Sequence, residues 1–219
     1  MELLKSVVGR KILMAITGQL MVLFVIVHLL GNSSIFIGPN GINSYAEHLH
    51  SLGPLVWVFR LGMLVLVLVH GIYGIMVSLE NSAATPSNYA LKNRKRATFS
   101  SETMIWTGLL IAIFVTYHIL HFTARVTPDI VVSFDKERFD VFKMVTTSFS
   151  LPAIVAVYVG AMIVLFLHLK HGIQSFFQTM GWNNDRSLPV ISRVGQVLAV
   201  IFLLGYSSIP VLILAQFIK

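Results

Sequence analysis

The residues of this sequence best suited to chemistry are histidines that lie inside long apolar runs. Four runs carry them: His28 in the first, His70 in the second, His118 and His121 in the third, and His168 and His171 in the fourth. An ionisable residue inside a membrane span is costly to bury and so indicates a functional site. One such histidine is more often a packed polar residue, but four runs with the same feature need a common explanation.

Paired imidazoles can bind a b-type haem, because two rings that face one another at one depth supply both axial ligands of the iron. With both axial positions filled, oxygen has no site and the haem carries electrons. A metal transporter would also use buried histidines, but it normally adds carboxylates, and the apolar runs contain none. The sequence has no cysteine, which excludes disulfides, iron–sulfur ligation and covalent haem attachment.

The elements that position these histidines are membrane helices. The chain is 56% hydrophobic and only 11% charged, whereas a soluble domain is about 25% charged. Each apolar run reaches the roughly 20 residues that cross a bilayer as a helix. We therefore predict an all-α polytopic membrane protein, in which residues 1–219 form a single five-transmembrane-helix bundle. Spans I to V are predicted at about 12–31, 55–79, 104–125, 153–177 and 191–218.

Basic residues set the predicted orientation. Lys5, Arg10 and Lys11 precede span I, and the most basic loop, 92–96, follows span II. The positive-inside rule then places the N-terminus in the cytoplasm and the C-terminus outside. The net charge of +7 is thus interpreted as a topology signal that also attracts anionic membrane lipid, and not as a nucleic-acid surface.

This topology sorts the histidines by depth. His28 and His118 lie late in outward-running spans, near the outer surface, and His70 and His168 lie late in inward-running spans, near the cytoplasm. At the helical rise of 1.5 Å per residue the two levels differ by roughly 10–15 Å. The sequence therefore predicts two stacked pairs, each able to hold one haem.

Five segments carry a resemblance to a known family: TGQLMVLFVIVHLLGN, SYAEHLHSLGP, LVHGIYG, TGLLIAIFVTYHILHF and LHLKHGIQSFFQTMGW. Together they resemble the di-haem cytochrome b membrane anchor (b558 type) of succinate dehydrogenases and fumarate reductases. The resemblance implies two haem b groups, a quinone (menaquinone for the di-haem type), and a flavoprotein and an iron–sulfur subunit on the cytoplasmic face. It also implies the bacterial cytoplasmic (inner) membrane, and it allows the complex to dimerise.

The resemblance also assigns the ligands. His28 follows the glycine of the first Thr-Gly pair by ten residues, as in the family, and the same spacing after the second Thr-Gly pair selects His118. In span IV the ligand precedes the Gly-Trp pair by thirteen residues, which selects His168, and His70 is the candidate in span II. The outer (distal) haem iron would be ligated by His28 and His118, and the inner (proximal) haem iron by His70 and His168.

The two remaining span histidines, His121 and His171, lie one turn nearer the membrane interfaces. Two roles stay open for them: a packed polar residue at the end of the bundle, or a hydrogen bond to a haem propionate or a quinone oxygen. For the cytoplasmic propionates the sequence offers Lys11, Arg94 and Lys170.

Quinone chemistry needs proton donors at the membrane surface, close to a haem. A predicted interfacial helix at 42–52 offers four such residues near the outer pair: Tyr45, Glu47, His48 and His50. Of these, Glu47 together with His48 or His50 is the favoured set, against the alternative of a solvated surface helix. A cytoplasmic quinone site is equally compatible with the sequence, with Arg10, Gln174 and Trp182 as candidates.

No motif for flavin or for dicarboxylate binding occurs in the sequence, so succinate or fumarate chemistry would belong to a partner subunit. The chain would act as the quinone-reactive electron-transfer subunit of the enzyme. Two alternatives remain: the cytochrome b of another quinone-linked complex, such as a hydrogenase or formate dehydrogenase, and a haem-free transporter or anchor.

Overall fold

The computed structural model describes residues 6–84, 98–131 and 140–219, and all regular structure within these ranges is helical. Five of the described helices are long and apolar enough to cross a membrane: Val7–Ile37, Pro54–Ala83, Met104–Ile130, Pro152–Thr179 and Ser187–Leu214. They correspond in order to spans I to V. The prediction of an all-α, multi-pass membrane protein is therefore confirmed. Arg94 and the basic loop around it lie outside the described residues.

Span I begins earlier than the apolar run suggested. Its α-helix covers Val7–Asn32 and continues as a 3-10 helix over Ser33–Ile37. Ser6 is the N-cap, and its hydroxyl accepts a hydrogen bond from the backbone N–H of Gly9 at 3.0 Å. Because this cap satisfies a free N–H group, the helix begins early enough to include Arg10 and Lys11.

Spans III and V also differ from the predicted helices. In span III the α-helix Met104–His118 passes into a π-helical turn, Ile119–Thr123, which the sequence pattern did not predict. Such turns rotate the following side chains relative to a regular helix. The helix of span V covers Ser187–Leu214, and Gln216, with a φ of 61°, follows it. A left-handed residue cannot continue an α-helix, so this span ends before the predicted residue 218.

The bundle is built around spans I, IV and V. Span IV packs along spans III and V, and span I packs along span II and also contacts span IV. Six buried side chains fill the space between spans I, IV and V: Val22, Leu29, Leu169, Ile173, Ala199 and Phe202. Span II, by contrast, exposes most of its apolar surface, as a helix in contact with lipid does. Spans II and III consequently lie at the sides of the bundle, against spans I and IV.

Two short helices cover one end of the bundle. The I–II helix, Pro39–Ser51, starts three residues before the predicted interfacial helix, and the III–IV helix, Val141–Phe149, was not predicted. Asn43 joins them: its amide donates to Asp140 Oδ1, and its carbonyl oxygen accepts from the backbone N–H of Phe142, both at 3.0 Å. Asp140 also caps the III–IV helix by accepting from the backbone N–H of Lys143 at 3.0 Å.

This cap predicts a pH-dependent contribution to stability. The N–H of Lys143 holds the pKa of Asp140 below its ordinary value, with help from Asn43. We expect Asp140→Ala to lower the free energy of unfolding by about 1 kcal/mol at neutral pH. Because a depressed pKa stabilises the folded state only while the group is ionised, the difference from wild type should vanish as the pH falls through that pKa.

Thermal unfolding of the protein in detergent, measured from neutral pH down to about pH 3, below the ordinary aspartate pKa, tests this expectation. Asp185→Ala is the control, since Asp185 is exposed and lies outside any helix. A difference between Asp140→Ala and wild type that persists unchanged at the acid end would contradict the role of the carboxylate charge.

Candidate functional site

The structure brings the span histidines together in two pairs. The ring centroids of His28 and His118 lie 5.9 Å apart, with an angle of 83° between the ring planes. Those of His70 and His168 lie 6.2 Å apart, at 66°. These are the same pairs that the sequence predicts from depth, and each joins spans that are not consecutive in the chain.

The Thr-Gly pairs of spans I and III fix the separation of the two levels. A Cβ atom on Gly18 would lie 2.9 Å from Cε1 of His70, so this ring sits against span I ten residues before His28. On span III, Gly108 meets His168 in the same way, at 3.4 Å, again ten residues before the histidine of the other pair. Ten residues of helix correspond to about 15 Å.

Hydrogen bonds at Nδ1 orient both rings of the inner pair. His70 Nδ1 lies 2.9 Å from the carbonyl oxygen of Met14, which can only accept, so Nδ1 carries the proton. His168 Nδ1 lies 3.1 Å from the hydroxyl of Thr107, which also lies 3.1 Å from the backbone carbonyl of Thr103. A hydroxyl that donates to this carbonyl accepts from Nδ1–H. Both inner rings thus keep the lone pair of Nε2, as metal-ligating histidines do.

The outer pair has different surroundings. His118 Nδ1 lies 3.3 Å from the hydroxyl of Tyr158. His28 stacks on Phe24 with a centroid distance of 5.2 Å, and the side-chain amide of Asn32 lies 3.3 Å from both of its ring nitrogens. Both outer imidazoles are half-buried and have aromatic neighbours, so their surroundings are largely apolar.

The pairs have the spacing of imidazoles that share a metal ion. An ion at about 2 Å from one nitrogen of each ring separates the two ring centres by roughly 6 Å. Within the described ranges, no three His, Asp or Glu side chains are grouped so as to hold a metal ion. Two protein ligands suit a metal whose other ligands come with it, and a haem iron is such a metal.

His121 has a different environment from the paired histidines. It is fully buried, with Nδ1 at 2.8 Å from the Tyr158 hydroxyl and Nε2 at 2.8 Å from Asp129 Oδ2 and 3.2 Å from Ser148 Oγ. Both ring nitrogens therefore have partners within the chain, which favours the role of a packed polar residue over a bond to a propionate or a quinone. The sequence reasoning missed Asp129, Ser148 and Tyr158, because only the folded chain brings them to one ring.

The predicted outer quinone residues lie on the I–II helix. Glu47, His48 and His50 are exposed, and His50 Nδ1 lies 2.7 Å from the carbonyl oxygen of Ala46. The half-buried Tyr45 packs tightly against Gly31, so that a Cβ atom on this glycine would clash with the phenol ring. This contact places the I–II helix at the end of span I that carries His28.

The predicted cytoplasmic candidates have different surroundings. Arg10 is ion-paired with Glu80, at the end of span II. Trp182 is exposed, and its ring lies against Phe176 with a centroid distance of 5.8 Å. Four more predicted residues are half-buried: Lys11, Lys170, His171 and Gln174.

Fold and site together define a class: a five-span helical membrane protein with two stacked pairs of facing histidines. Comparison of the chain with protein-family models, with curated proteins and with solved structures gives no match. Function is therefore inferred from the site geometry and from the residues that carry the resemblance.

The contact between Gly18 and His70 predicts a position-specific effect of alanine. Gly18→Ala would place a methyl group 2.9 Å from Cε1 of a ring that Met14 holds in position. We expect a loss of about 1–3 kcal/mol in the free energy of unfolding from this overpacking. Thermal unfolding of the detergent-solubilised protein measures the loss.

Gly62→Ala is the matched control, because no atom lies within 4 Å of a Cβ built on this glycine. It should be neutral or stabilising by up to about 1 kcal/mol, since alanine is the better helix former. Equal effects of the two substitutions would show that His70 does not lie against span I in this way.

Proposed function

We propose that this chain is the di-haem cytochrome b anchor of a succinate:quinone oxidoreductase, either a succinate dehydrogenase or a quinol:fumarate reductase. The main observation behind the proposal is that four histidines form two facing pairs. The ring centroids within the pairs lie 5.9 and 6.2 Å apart, and the two pairs are separated by about 15 Å along the spans. Packing of the helices alone does not require two facing histidine pairs at two different depths.

In this function His28 and His118 would hold the outer haem, and His70 and His168 the inner one. When bound, such a haem carries one electron at a time by cycling between its ferric and ferrous states. The chain's own part is to orient the rings and exclude water. Met14 and Thr107 fix the inner rings through Nδ1, and the apolar core between spans I, IV and V keeps the surroundings dry, which helps set the reduction potential.

The position of the I–II helix supports a quinone site near the outer pair. Tyr45 packs against Gly31, one turn after His28, so the exposed Glu47, His48 and His50 belong to a helix beside that pair. These are acids and bases that can exchange protons with water, which reduction or oxidation of a quinone requires. We infer that menaquinone reacts there, and that Glu47 with His48 or His50 handles its protons.

The partners follow from the resemblance. A flavoprotein subunit would hold succinate or fumarate, and an iron–sulfur subunit would connect it with the inner pair on the cytoplasmic face of a bacterial inner membrane. Anionic lipid would contact the basic residues near the same face, among them Lys11 and Lys170. The complex is compatible with a dimer.

Substitution of single histidines tests the proposal. We expect His118→Ala and His168→Ala each to reduce the haem content of the purified complex from two per chain to one, because one axial ligand of one iron is lost. His171→Ala is the matched control: it removes a half-buried histidine one turn beyond His168 and should leave both haems. Pyridine haemochromogen absorbance, normalised to protein, measures the content.

Three outcomes would contradict parts of this proposal. Loss of a haem from His171→Ala but not from His168→Ala would assign the wrong histidine of span IV. Co-purification with hydrogenase or formate dehydrogenase subunits, without a flavoprotein, would favour another quinone-linked cytochrome b. A colourless wild-type protein would favour the haem-free transporter or anchor.

A further inference from the structure

We propose that Asp129, His121 and Tyr158 form a hydrogen-bonded relay that orients His118 and determines which of its ring nitrogens carries the proton. The proposal rests on the proposed function in one respect only, namely that His118 is a haem ligand. The three residues of the relay are positioning residues: they would act on the outer haem through His118.

The relay is continuous in the structure. Asp129 Oδ2 lies 2.8 Å from His121 Nε2, His121 Nδ1 lies 2.8 Å from the Tyr158 hydroxyl, and this hydroxyl lies 3.3 Å from His118 Nδ1. Ser148 completes the arrangement by donating its hydroxyl hydrogen to Asp129 Oδ2 at 2.6 Å. A carboxylate at the end of span III is thus connected, through two side chains, with a predicted ligand within the bundle.

Donor and acceptor capacities give the relay a direction. The ionised Asp129 only accepts, so His121 donates from Nε2. In its neutral form His121 then accepts at Nδ1, and the single hydroxyl hydrogen of Tyr158 points toward it. The phenol oxygen is left to accept from Nδ1–H of His118. Nε2 of His118 therefore keeps its lone pair, which is the tautomer that binds iron.

Local structure holds the members of the relay in place. His121 lies in the π-helical turn Ile119–Thr123, directly after the α-helix that ends at His118, and both imidazoles reach the same phenol. The Tyr158 ring is packed edge-on between Phe114 and Phe149, at centroid distances of 5.1 and 4.9 Å. Neither the phenol nor the buried His121 can turn away without loss of this packing.

The two pairs differ in the charge of the groups on which their hydrogen bonds end. At the inner pair, His70 and His168 bond to a neutral carbonyl and a neutral hydroxyl, whereas the relay from His118 ends on a carboxylate. A negatively charged hydrogen-bond network behind a histidine ligand raises the basicity of that ligand. A more basic ligand stabilises ferric over ferrous iron, so we infer that the relay lowers the reduction potential of the outer haem relative to the same site without Asp129.

Potentiometric titration of the purified complex, followed by the reduced haem absorbance, tests the relay. We expect Asp129→Asn and Tyr158→Phe each to retain two haems and to raise one of the two midpoint potentials while the other stays unchanged. Asparagine removes the negative charge at the end of the relay, which is the source of the expected rise, and where no iron is bound to Nε2 of His118 it can also reverse the donor order. Phenylalanine removes only the hydroxyl and keeps the ring packing.

Two control variants separate the relay from general effects. Asp140→Asn changes another carboxylate near this end of the bundle but retains a residue that caps helices well, and it should move neither potential. Thr107→Val removes the hydroxyl beside His168 and should move the other potential. If Asp129→Asn loses only the outer haem and keeps the inner potential, this also supports the relay.

Failure of the relay and failure of the proposed function give different results. Two haems with unmoved potentials in both Asp129→Asn and Tyr158→Phe would overturn the relay and leave the proposed function standing. A wild-type protein without haem would overturn the function. In that case nitrogen-15 NMR of histidine-labelled protein still decides the relay: Nδ1 of His118 should be protonated in wild type and not in Asp129→Asn, and identical tautomers in both would overturn it.

Discussion

The constraint on which this structure depends is that an imidazole buried in a bilayer needs a hydrogen-bond partner for its polar nitrogen. Unpaired polar groups are costly where water is absent. Three of the four paired histidines meet this requirement at Nδ1, with different acceptors: a backbone carbonyl of span I for His70, a threonine hydroxyl of span III for His168, and a phenol of span IV for His118. In each case Nε2 is left for a ligand.

The chain uses a similar unit twice. A Thr-Gly pair on span I receives the histidine of span II, and a Thr-Gly pair on span III receives the histidine of span IV. Each glycine lets a ring approach the helix backbone, and each lies ten residues before the histidine that contributes to the other level. Two levels about 15 Å apart then follow from helix geometry. Only the second unit uses its threonine, Thr107, as the bonding partner of the histidine.

The spans were predictable because hydrophobic length is a local property of the sequence. The pairing of His28 with His118 was predictable too, since alternating spans return to the same depth. The start of span I at Ser6 was missed although a capping serine is a visible signal. The relay could not be predicted: Asp129 and Tyr158 reach His121 only because a π-helical turn and a second span bring them there. Ligation itself stays a prediction.

If each histidine pair holds one haem, the cofactor stoichiometry of the wild-type complex will show it. A pyridine haemochromogen assay, combined with a dithionite-reduced-minus-oxidised spectrum of the purified membrane complex, gives both the number and the type of haem. We expect two b-type haems per chain, with sharp low-spin reduced bands, because both axial positions of each iron would be filled. One haem would mean that one pair is not a ligand pair, and a protein without haem would contradict haem binding at both pairs.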